Sequence, residues 1–80
     1  MNDNPFFAYV EAMPLTYKPS VINEYFTSRV LFEFHPEGKL NLDPPARLSG
    51  FLQRVQGSPH ADLVSYNASP CFASAMFVLK

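Results

Sequence analysis

Cysteine is almost missing from this chain: Cys71 is the single one among 80 residues, so no disulfide can form within it. A lone thiol also fits a reducing compartment, and the cytoplasm is the expected location. The scarcity bears on metals too. Only His35 and His60 accompany Cys71 as soft or borderline ligands, spaced 25 and 11 residues apart, without the close ligand pairs of structural zinc sites. The glycines number three, Gly38, Gly50 and Gly57, too few and too scattered for a phosphate-cradling loop. No cofactor is expected. Charge of one sign is missing as well: six basic and seven acidic residues give a net charge of −1 and a pI near 6.0. That removes the basic stripe of a nucleic-acid binder. No run reaches the roughly 18 apolar residues of a membrane span. The segment Met1-Asn2-Asp3-Asn4-Pro5 lacks the basic and apolar regions of a signal peptide, so none is expected.

Against these absences stand apolar content and aromatics. Hydrophobic residues make up 48% of the chain, with eight Phe and four Tyr but no Trp. The length suits one domain over residues 1–80. Such a chain buries only about 60–70% of its unfolded surface, so a partner subunit would widen a thin stability margin.

The strongest local signal is a helix from Pro44 to Gln56. Asp43 can cap it, Pro44 takes the first position where no amide donor is needed, and Gly57 suits the left-handed residue beyond its end. Leu48, Phe51, Leu52 and Val55 fall on one face. A hairpin is expected across Val30–Leu42, turning at His35-Pro36-Glu37-Gly38 and pairing Phe34 with Leu40 and Phe32 with Leu42. Ser20 is expected to cap a short helix carrying Val21, Ile22, Tyr25, Phe26 and Arg29. Phe6–Val10, Ala61–Asn67 and Cys71–Leu79 read as strands, the last two joined by a turn through Asn67–Pro70. The resulting expectation is an α+β fold of order β-α-β-β-α-β-β, a single-layer antiparallel sheet packed by two helices. Its first six elements follow the ferredoxin-like order.

Chemistry-bearing residues are few. Ser58, His60 and Asp62 offer hydroxyl, imidazole and carboxylate within five residues, but catalytic triads draw their members from distant segments. Ordinary loop composition explains the group equally well, so no catalysis is expected. The ferredoxin-like order is shared with RNA-binding folds that stack bases on central strands. Phe7 and Tyr9 could begin such a platform, but Lys39–Leu42 lacks the aromatics to complete it.

The aromatic surplus is the remaining signal. In an extended run Phe6 and Phe7 would face opposite ways, so one of them would lie outside the core. Aromatics and arginines are enriched in interface cores. Phe6, Phe7, Tyr9, Tyr17 and Tyr66, with Arg47 and Arg54 on one flank of the central helix, form the candidate partner-binding set. The uncharged run Phe72–Leu79 must be central in the sheet or shared with another chain. In profile (short, cysteine-poor and free of motifs) the chain resembles the small single-domain inhibitors of phages and mobile elements, anti-CRISPR proteins among them. That resemblance implies a non-enzymatic protein-binding module, an inhibitor or adaptor that occludes a larger cytoplasmic complex. A homodimer, a self-assembling structural subunit and a single-stranded nucleic-acid binder are the alternatives, with no membrane partner expected.

Overall fold

The computed structural model describes residues 4–25 and 28–80. Its order is α1 (Pro5–Glu11), a 3-10 turn (Leu15–Tyr17), β1 (Val21–Tyr25), β2 (Arg29–Phe34), α2 (Pro44–Val55), β3 (Ala61–Ser69) and β4 (Phe72–Leu79). The chain is thus α+β, with an antiparallel sheet in the order β1-β2-β4-β3. The ferredoxin-like order is not formed.

Four local expectations need correction. Phe6–Val10 is helix rather than strand. Pro5 opens it, and the Asn4 side chain accepts the Phe6 N–H at 2.8 Å, the arrangement Asp43 repeats before α2 by accepting from Ala46 at 3.0 Å. Phe6, Val10 and Met13 then share one face at helical spacing and bury it. Val21–Tyr25 is strand rather than helix. Ser20, expected to cap a helix, instead accepts the His35 N–H at 3.0 Å and donates to Glu37 Oε2 at 2.7 Å. Phe26, expected on that helix, lies outside the described residues, as do Met1–Asp3.

The hairpin is displaced by one strand. Its turn lies between Tyr25 and Arg29, closing on Ser28 at a left-handed φ of 65°. Phe32 pairs with Ile22 and Ala75, and Phe34 with Ala73, so β4 occupies the place expected for Lys39–Leu42. His35–Gly38 begins the loop to α2. The last turn is also tighter than expected: Ser69 pairs with Phe72, leaving Pro70 and Cys71 as the loop, with the thiol exposed. The uncharged β4 is central.

Both helices cover one face of the sheet, and the core between them is built from phenylalanine. Phe6, Phe32, Phe34, Phe51 and Phe77 are almost wholly buried. Their rings stand 5.2–6.1 Å apart in tilted or edge-on pairs, a geometry worth about 0.5–1.5 kcal/mol per pair beyond area burial. The small Ala73 and Ala75 on β4 leave room for them. Gly57 ends the region of α2 at φ 79°, as its sequence position predicts. Gly50 has a different role. A Cβ there would overlap the Tyr17 ring, which lies against the helix backbone with the Arg54 guanidinium 4.0 Å from its centroid.

In an exposed helix interior, Gly→Ala gains about 1 kcal/mol. Here Gly50→Ala is expected to lower stability by displacing Tyr17 from its stack on Arg54. In a Tyr17→Ala background the same substitution should stabilise. Urea denaturation of the four proteins of this cycle measures the sign reversal.

Candidate interaction surface

Arg47 is 1% exposed, the one buried charged residue among those described. α2 carries it under the loop that follows β2. Nε donates to the Thr16 carbonyl at 2.9 Å, Nη1 to His35 at 2.7 Å and Nη2 to Lys18 at 2.8 Å. Nη2 also lies 3.5 Å from Ser20 Oγ and 3.4 Å from Glu37 Oε2. The guanidinium sits 5.4 Å from the Phe34 centroid. Every buried side-chain polar atom among the described residues has a partner. Arg47 therefore holds the fold together and is unavailable to a partner. Phe6 leaves the candidate set for the same reason, being fully buried.

Glu37 is the acid of this knot. The Ser20 hydroxyl hydrogen bond lowers its pKa below the ordinary 4.5; partial burial opposes this, and the charges of Arg47 and Lys39 reinforce it.

The other candidates divide between two places. Tyr9, Tyr17 and Arg54 come together: the half-exposed Tyr9 donates its hydroxyl to the Arg54 carbonyl at 2.6 Å, and Arg54 covers Tyr17. Arg54 also donates to the Gly50 carbonyl at 3.2 Å. Phe7 packs half-buried against the core nearby. Because Phe7 and Tyr9 stand on a helix, they form no base-stacking platform on a strand.

Tyr66 lies apart, on β3. This strand is an edge of the sheet, and eight of its nine residues are exposed. Tyr66 is 63% exposed, Val64 50% and Leu63 44%. A bulge between Leu63 and Ser65 interrupts the ladder to β4, leaving Ser65–Ser69 in regular register. Beside the first half of β3, a groove of about 720 Å³ separates the strand from α2, with Leu52, Val55, Leu63 and Phe77 in its lining. Leu63 and Val64 were not singled out from the sequence. Alternation marks a strand, but edge position follows only from strand order.

Asp62, Ser58 and His35, three of the residues weighed for chemistry, each have a partner. Asp62 pairs with Lys80 Nζ at 3.1 Å, and Ser58 Oγ accepts the His60 backbone N–H at 3.2 Å. His35 pairs with Glu33 at 2.8 Å and stacks near Phe72. No group of three His, Cys, Asp or Glu among the described residues could hold a metal ion. Among those residues, no helix is long and apolar enough to cross a membrane. No protein-family model, curated protein or solved structure matches this chain.

Arg47→Lys keeps the charge but lacks the fork that reaches three carbonyls. Charge-assisted hydrogen bonds contribute about 1.5–3 kcal/mol each, so a loss of about 2 kcal/mol or more is expected in chemical denaturation. The depressed folded pKa of Glu37 means that its carboxylate stabilises the fold above its unfolded pKa. That contribution disappears as pH falls through the lower folded value. Stability measured downward from neutral pH should therefore drop in the acid range below 4.5, and Glu37→Gln should flatten part of that drop.

Proposed function

We propose that this chain is a non-enzymatic protein-binding module of the cytoplasm, an inhibitor or adaptor that engages an extended polypeptide along β3 and occludes a larger complex. The observation that carries this reading is the β3 edge: nine residues with eight exposed, an exposed Tyr66 and one acidic or basic side chain, Asp62, already paired with Lys80. An edge strand offers a row of unpaired backbone donors and acceptors to another strand. Backbone pairing supplies affinity in this mode, and neighbouring pockets supply specificity. The groove between α2 and β3 stands where a side chain of an added segment could enter. The weak net charge supports recognition by shape and apolar contact rather than by long-range steering.

The test is affinity capture of the tagged protein from the lysate of its own cells, with and without nuclease treatment, beside Tyr66→Asp and Leu63→Glu. Both substitutions fall on exposed positions and should leave the circular dichroism spectrum unchanged. The expected result is a stoichiometric protein partner retained by the wild type and lost from both variants. Equal retention by all three would remove β3 as the binding edge. Recovery of nucleic acid alone, with steep salt dependence, would replace this reading.

A further inference from the structure

The regular part of the β3 edge is complementary to itself, and we infer that a second copy of this chain pairs with it, Ser65–Ser69 against Ser65–Ser69, antiparallel about a two-fold axis at Asn67. This rests on β3 being the binding edge.

The bulge between Leu63 and Ser65 and the Pro70–Cys71 turn bound a run of five residues, and its centre is Asn67. An axis at Tyr66 would carry the ladder into the bulge, and one at Ala68 would carry it into the turn. Either shift leaves only three regular pairs. With the axis at Asn67, an isologous contact sets Ser65 opposite Ser69 of the second copy and Tyr66 opposite its Ala68.

Each meeting is compatible. Tyr66 and Ala68 pair directly with the buried Ala75 and Ala73, so they lie on the helix-bearing side of the sheet. The exposed Tyr66 ring there meets only a methyl group, twice by symmetry. On the opposite side Ser65, Asn67 and Ser69 present hydroxyls and an amide. An amide both donates and accepts, so Asn67 can pair with its own copy across the axis. Past the ladder, the second copy's Pro70–Cys71 turn comes beside the half-exposed Leu63 and Val64.

Charge agrees. Ser65–Ser69 contains no Asp, Glu, Lys, Arg or His, and Asp62 stays beyond the ladder, paired with Lys80. Nothing of like sign is brought together. Five residues a side is small beside the roughly 1,200–2,000 Å² of a stable interface, so the dimer is transient and its population depends on concentration.

Sedimentation equilibrium of the purified full chain, from micromolar to millimolar concentration, should show the apparent mass rising from 9.0 kDa towards twice that value. Tyr66→Asp should hold the mass at 9.0 kDa with the fold retained. Oxidative cross-linking reads the register in a Cys71→Ser background. Antiparallel Cα atoms opposite one another stand about 4.5–5.5 Å apart, within disulfide range, so Asn67→Cys should cross-link to a dimer. Ser69→Cys should not, because at about 3.4 Å per residue its two copies would lie about 14 Å apart. A constant monomer mass at every concentration overturns the inference. So does association that Tyr66→Asp leaves unchanged, or Ser69→Cys cross-linking as fast as Asn67→Cys. A monomeric chain whose β3 variants still lose a captured partner keeps the protein-binding reading and removes the second copy as occupant.

Discussion

The Arg47 guanidinium joins parts of the chain that have no regular pairing with one another. One planar group, presented by α2, takes carbonyls from the 3-10 turn, from the connector before β1 and from the residue that follows β2. Removing a guanidinium from water costs several kcal/mol unless its donors are satisfied. The loops around Arg47 must therefore adopt one arrangement, which fixes where β1 enters the sheet and where the chain leaves β2. The connecting loops are irregular, so this single charge does for them what the ladders do for the strands. Tyr17 is positioned by the same turn, which places its ring on Gly50 and beneath Arg54.

The sequence was legible where local chemistry and tertiary packing agreed. Asp43-Pro44 and Gly57 bracket α2 because cap, fixed φ and left-handed exit all act within one segment. Asn4-Pro5 carries the same signal before α1, and Phe6, Val10 and Met13 keep helical spacing. A run of five residues dominated by apolar side chains masked it, since such a run satisfies either period. The β1–β2 hairpin was hidden for the opposite reason: its left-handed position is filled by Ser28, with no glycine to announce it. His35-Pro36-Glu37-Gly38 has turn chemistry but no second strand. The His35 backbone and the Glu37 carboxylate are committed to Arg47 and Ser20.

The candidate surface was legible only in part. Aromatic excess signalled more rings than a small core needs, but could not say which rings were in surplus. Phe6 went inside because the helix turns it towards Phe32 and Phe77, and Tyr66 stayed outside on the exposed edge strand β3. Arginine gave the least information. Arg47 and Arg54 stand seven residues apart on one helix, yet one is enclosed by carbonyls and the other lies over a tyrosine ring. That difference depends on what the loops bring to each position, which no local pattern records.

The place of β4 bears on how the chain reaches this structure. β1 and β2 can form a hairpin from neighbouring residues, but β3 touches the rest of the sheet only through β4. The β2–β4 ladder joins Arg29 to Val78 and Phe34 to Ala73, contacts between distant parts of the chain whose closure entropy slows folding. Until that strand inserts, the apolar face of β2 has no cover from Ala73, Ala75 or Phe77, and the edge of β3 has a bare counterpart on its other side. The interval before insertion is thus when the polypeptide carries the most unpaired strand, and the speed of this one step governs how long it remains open to unwanted association.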